Sequence, residues 1–158
     1  MKKVICCLAV LTCLSLGDTR PNFSGRWRMI KEQSEFGKFS RPDIIVRVVD
    51  EHPPTMNIHT VQTTGKETTS SDVSYFIDGR ESTNTMSGRP AVSKAFWDDN
   101  ALVIRTETKN SKDEDTQIVD RWELSADGQK LTIDSHIETT TGEADLKLVC
   151  QKEGGAGK

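Results

Sequence analysis

Beyond its first residues the chain is almost without cysteine. Cys6, Cys7 and Cys13 fall within residues 1–17, and Cys150 alone follows them. A single thiol cannot close an internal disulfide, so the core alone must hold the fold. An excess of positive charge is also missing. The formal net charge is −3, which argues against nucleic acid and against an anionic membrane surface as partners. After Leu16 no apolar run approaches the length needed to span a bilayer. No Gly-rich phosphate loop, Gly-x-Ser-x-Gly elbow or HExxH helix occurs. The histidines, His52, His59 and His136, lack metal-ligand spacing and have no cysteine partners, so no metal or cofactor is expected. With no catalytic constellation in sight, an enzyme is not expected either.

What is present begins with a leader. Lys2 and Lys3 precede the apolar run from Val4 to Leu16, and Ser15-Leu-Gly17 offers small residues at the −3 and −1 positions of a cleavage site. Residues 1–17 read as a secretory signal peptide, which implies an extracytoplasmic protein, periplasmic or secreted. Lipoprotein anchoring through Cys13 is the alternative, but Thr12 beside it makes a poor lipobox. Removing 17 of 158 residues leaves 141, enough for one domain, and moves the net charge to −5 because Lys2 and Lys3 go with it. The domain is expected over 18–153, with a Gly-rich tail at 154–158.

The domain is rich in Thr, Val and Ile, which suit pleated, half-buried surfaces. Apolar and polar residues alternate in short runs separated by turn signals such as Asp78-Gly79, Asp98-Asp-Asn100 and Asp127-Gly128. Strands are expected over 22–30, 43–50, 55–63, 68–77, 80–86, 91–97, 101–108, 116–124, 130–138 and 144–152. His52-Pro-Pro54 breaks one ladder and Gly88-Arg-Pro90 another. Residues 31–42 read as a loop or single turn placing Phe36 and Phe39 over an open edge or mouth. Ser111-Lys-Asp-Glu114 matches a helix capping box, which allows a helix over 112–124. Ile118, Trp122 and Leu124 also fall in strand phase, and the neighbouring turn matches the other hairpins, which favours a strand. The result is an all-β chain, an antiparallel up-and-down meander of about ten strands. Closing it into a barrel by pairing first strand with last removes the exposed edges.

The start, Phe23-Ser-Gly-Arg-Trp27, resembles the Gly-x-Trp signature on the first strand of the calycins, the lipocalin and fatty-acid-binding barrels. Ser34-Glu-Phe-Gly37, the run from Tyr75 to Asn84, Ala95-Phe-Trp-Asp98 and the run from Trp122 to Gly128 are similar to a group of exported bacterial lipocalin-like proteins that have no established activity. The resemblance implies a lipocalin-like β-barrel with internal room. Fatty-acid-binding proteins hold a carboxylate with an Arg-x-Tyr pair on the last strand. Leu148 and Cys150 stand at those places, so no anion clamp is expected there. Lipocalins set a late basic residue over the first-strand Trp, and Lys147 and Arg121 are the candidates.

Trp27 is expected to pack the closed end of the barrel. Phe36, Phe39, Tyr75, Trp97 and Trp122 are the candidate ligand-facing residues, with the Tyr75 hydroxyl as a polar handle inside an apolar cavity. His136 shares a face with Asp134 and Glu138 and reads as solvated exterior. Arg105, Glu107, Arg121 and Glu123 read as exterior ion pairs, and Cys150 as a small buried hydrophobe. The function expected is binding of a small apolar or amphipathic molecule by a monomeric barrel, without stable membrane insertion. The alternative is a structural or protein-interaction barrel whose interior is full.

Overall fold

The computed structural model describes residues 20–154, so the leader 1–17 and the end of the tail lie outside the described residues. Ten strands follow in order: β1 (Gly25–Met29), β2 (Ile44–His52), β3 (Thr55–Thr64), β4 (Glu67–Phe76), β5 (Glu81–Met86), β6 (Arg89–Asp98), β7 (Ala101–Lys109), β8 (Asp115–Leu124), β9 (Lys130–Thr139) and β10 (Gly142–Glu153). All adjacent pairs are antiparallel, and the order around the sheet is β4-β3-β2-β1-β10-β9-β8-β7-β6-β5. β1 therefore lies between β2 and β10, with Arg26 opposite both Val48 and Glu153. First and last strand meet, and the meander curls into a nearly closed barrel.

The turns follow the local chemistry. Asp99 and Gly128 adopt positive φ (53° and 67°), as the tight hairpins require. Ser87 and Gly88 also have positive φ and make the β5–β6 turn, so β6 starts at Arg89 and not after Pro90. Pro90, second in the strand, sits near its start, where a missing N–H is tolerated. Residues 115–124 form strand β8. The capping-box motif fails because the Asn110 side chain accepts N–H bonds from Lys112 (2.9 Å) and Glu114 (3.1 Å), locking a loop where a helix would begin.

Closure is incomplete at one seam. β4 and β5 share no backbone ladder, and side chains bridge them instead. The Asn84 amide accepts from the Ser74 N–H and donates to the Ser74 carbonyl, both at 2.9 Å, and the Ser82 hydroxyl accepts from the Phe76 N–H at 2.8 Å. Asn84 thus supplies the donor and acceptor that a strand backbone would have offered.

Mostly apolar side chains line the inside and ion pairs dress the outside. Arg26 and Arg28 grip Glu153, Arg121 meets Asp98 and Glu123, and Lys147 faces Asp134. That is the reverse of a membrane-spanning barrel, whose outer face is apolar. Among the described residues no helix is long and apolar enough to cross a membrane.

Candidate functional site

The barrel end that carries the turns at 53–54, 77–80, 99–100 and 125–129 is its floor. Phe23 sits there at full burial, stacked on Trp97 (centroids 5.8 Å, 15° between planes) and edge-on to Trp122 (5.8 Å, 87°). Its carbonyl accepts the Trp27 indole N–H at 2.8 Å, and its own N–H is held by the buried Glu51 carboxylate at 2.7 Å. Trp27, Trp97 and Trp122 thus share one end.

The Gly-x-Trp motif has a physical reason here. Lys152, and neither Lys147 nor Arg121, places its ammonium 5.2 Å from the Trp27 ring. Its stem runs over Gly25, where an added Cβ would lie 2.6 Å from the Lys152 Cε. Gly25 also has φ +144°, a conformation side chains disfavour. The two sequence candidates fail because both face outward and are engaged by surface carboxylates.

On β3, β4, β9 and β10 burial along the inward-facing positions falls from floor to mouth. On β3, Met56 and Ile58 are buried while Thr60 and Gln62 are half-buried. On β9, Leu131 and Ile133 are buried while Ser135, Ile137 and Thr139 are half-buried. β10 repeats the pattern from Cys150 and Leu148 to Leu146 and Ala144, and β4 from Tyr75, beside the buried Ile77 that follows the strand, to Val73. The floor half is a solid core, and the mouth half keeps solvent-accessible interior surface on the β3, β4, β9 and β10 side, whereas Ala91, Ser93, Thr106 and Thr116 stay buried on the β6–β8 side.

At the boundary sits a polar belt. Arg47 on β2, in phase with the buried Ile45 and Val49, turns its guanidinium inward to 5.6 Å from the Trp122 ring. Its Nε is buried with no hydrogen-bond partner, as is the Trp122 indole Nε1. Asp120, between Ile118 and Trp122 on the inner face of β8, accepts from the Ser135 hydroxyl across the β8–β9 pair. Burial raises the Asp120 pKa, with the Ser135 bond and the Arg47 charge opposing. Burial also pushes the Tyr75 phenol up to about 12, the Asp120 charge adding to the rise and Arg47 opposing it. The Cys150 thiol, fully buried, is pushed up to about 11, again against Arg47. The Arg47 guanidinium thus acts across the barrel interior on groups from β4, β8 and β10.

Of the sequence candidates, Tyr75 and Trp122 belong to this belt, Trp97 lies at the floor, and the other two rings lie toward the mouth. The chain after β1 makes a single 3-10 turn (Lys31–Gln33) and then runs beside β10, with Glu35 bridged to Lys147. Phe36 packs against the core. Phe39, 43% exposed, joins Asn110, Ile137 and Thr139 around a recess of about 260 Å³ at the rim. Arg47, Asp120 and Ser135 were missed by sequence reasoning. The available signal was phase, since Arg47 falls between Ile45 and Val49. His59 and His136 are exterior, each beside a surface aspartate at 2.7 Å. No group of three metal-ligating side chains exists among the described residues.

Solved structures share this architecture. An ileal bile acid-binding protein from zebrafish, complexed with cholic acid, matches over 82% of this chain and 98% of its own, at 16% identity and a TM-score of 0.57. The fold is a calycin-like barrel. A secretory abundant heat soluble (SAHS) protein from Ramazzottius varieornatus matches over 82% and 94%, at 14% identity and a TM-score of 0.57. SAHS protein 4 from the same organism matches over 84% and 95%, at 14% identity and 0.51. These likenesses rest on shape, since identity is low throughout. No protein-family model and no curated protein matches the chain.

Proposed function

We propose that this calycin-like barrel is an exported carrier that binds a small amphipathic molecule in the mouth half of its interior. The observation that carries the reading is the burial gradient. Inward-facing side chains are mostly buried on the floor, yet half-accessible on β3, β4, β9 and β10 toward the mouth, while Ala91, Ser93, Thr106 and Thr116 on β6 to β8 stay buried. Binding would draw on apolar surface removed from water, worth about 25 cal/mol per Å². Ile118, Ile137, Leu146 and Val73 supply that surface, and Phe36 and the exposed Phe39 stand nearer the rim. Export rests on the leader, Lys2 and Lys3 followed by the apolar run to Leu16. The likeness in fold to a bile acid-binding protein agrees with a carrier.

The test is displacement of a hydrophobic fluorophore from the purified, delipidated monomer, with native mass spectrometry to count bound molecules. One-to-one binding that is weakened by Ile137→Trp, which fills the accessible half, is the expected result. A monomer that binds neither fluorophore nor amphipath removes the carrier reading.

A further inference from the structure

The strand on one side of the seam keeps a bare edge. The β3–β4 ladder is unbroken from Thr55 opposite Phe76 to Thr64 opposite Glu67, so one side of β4 is fully engaged. On its other side only Ser74 and Phe76 find partners, in the Asn84 amide and the Ser82 hydroxyl. In an antiparallel sheet the backbone groups of alternate residues face the same neighbour. The Ile77 N–H turns to Pro54, beside β3. Thr68, Ser70 and Asp72, in phase with Ser74, therefore aim their N–H and C=O groups at the open side. No described residue bonds to those groups. Every residue from Glu67 to Asp72 is exposed, including Thr69 and Ser71, which share the inward phase of Tyr75. Edges of this kind are normally blunted by lysine, proline or a bulge, and this stretch has none of them.

We propose that this edge pairs antiparallel with the same edge of a second copy, about a two-fold axis at Ser70. The residues decide the register. With Ser70 opposite itself, Thr68 lies opposite Asp72 of the second copy, and the three free residues of each chain exchange about six backbone bonds. On the inward side Thr69 lies opposite Ser71 of the second copy, a hydroxyl pair of the kind that stabilises sheets. Each Asp72 carboxylate meets a hydroxyl, with Lys66 of the other copy just beyond it in the chain. Centring the axis on Asp72 would set two carboxylates directly opposite and would need Ser74, which Asn84 already holds. Centring it on Thr68 would set Ser70 against the turn at Gly65 and Lys66. A second copy is favoured over an unrelated strand because this run is complementary to itself, with no like charges meeting. The symmetric contact consumes the edge on both copies, so assembly stops at two. One short strand pair buries little area, which makes the association weak and reversible. At the dilution of a fluorophore assay the protein is therefore the monomer.

The experiment is sedimentation of the purified protein, leader removed, over a concentration series reaching about 1 mM. The expected result is a shift from one chain to two, half complete at about 100 µM or above. Ser70→Pro deletes an N–H on the open edge and no bond to β3, so it should stay a single chain with its melting temperature kept. Single cysteines read the register without relying on that variant. Paired Ser70→Cys chains bring their Cα atoms to about 5.5 Å, within disulfide reach, whereas two Thr68→Cys chains are offset along the strands and out of reach. The native thiol, Cys150, is fully buried and does not compete. Under mild oxidation Ser70→Cys should therefore cross-link about tenfold or more faster than Thr68→Cys. A single chain at every concentration, an undiminished dimer in Ser70→Pro, or equal cross-linking of the two cysteine variants overturns the proposal. A chain that stays single yet takes up an added extended peptide at this edge overturns the second copy as its occupant.

Discussion

Two inward-facing residues report the interior directly. Tyr75 is the single tyrosine of the chain, so the tyrosinate absorbance band titrates one group. Its midpoint is expected near 12 against an ordinary 10.0. The folded pKa lies above the unfolded one, so stability is intact below pH 10 and is lost as pH rises through about 12. A midpoint at the ordinary value would put the hydroxyl in water. Asp120 runs by the same sign at the acid end. Its folded pKa is raised by burial, so its contribution is fully present below 3.8 and is lost as pH rises through the folded value. Asp120→Asn keeps an acceptor for the Ser135 hydroxyl and never ionises. The variant should therefore melt higher than the wild type at pH 7 and converge with it in acid. Parallel melting curves across pH would show that Asp120 is solvated.

At the scale of elements, the weakest boundary is the one between β4 and β5, because side chains stand in for a ladder. Asn84→Ala removes both bonds to Ser74, at a cost of about 1–2 kcal/mol. Hydrogen exchange at the Ser74 amide should accelerate, while amides within the β8–β9 pair keep their protection. Unchanged exchange at Ser74 would mean that the seam is held by something other than Asn84. This seam was invisible in the sequence, since the alternation that marks β4 and β5 as strands carries no information about their spacing. The strands themselves were legible because period-two patterning and Asp/Gly turns agree along the whole domain. Facing direction was harder. β2 carries apolar residues on both faces, Ile44, Val46 and Val48 against Ile45 and Val49, so Arg47 was open to assignment as solvent-facing. Asp120 was hidden the same way, as an acid between Ile118 and Trp122. Lys152 was the readable miss, being in phase with Leu148 and Cys150 on the strand that abuts Trp27.

At the scale of the molecule, the barrel is a ring with one weak joint. The start of β1 and the end of β10 lie side by side, Arg26 opposite Glu153, so a short flexible linker can join the described ends of the chain. New ends can then be opened elsewhere. A cut between Lys112 and Asp113 falls in an exposed, charged loop between two strands that remain laddered from Leu102–Trp122 to Lys109–Asp115. That permutant should fold with a melting temperature close to that of the parent. A cut between Gly79 and Arg80 falls at the seam, where the chain is the only covalent tie and Ser82 and Asn84 supply the bonds across it. Freed of that tie, β4 and β5 can part. The second permutant should melt lower, exchange the Ser74 and Phe76 amides faster, and take up and release the fluorophore more quickly than the first. If both permutants melt alike, the seam contributes no less than the ladders do, and the ring has no weak joint for a ligand to exploit.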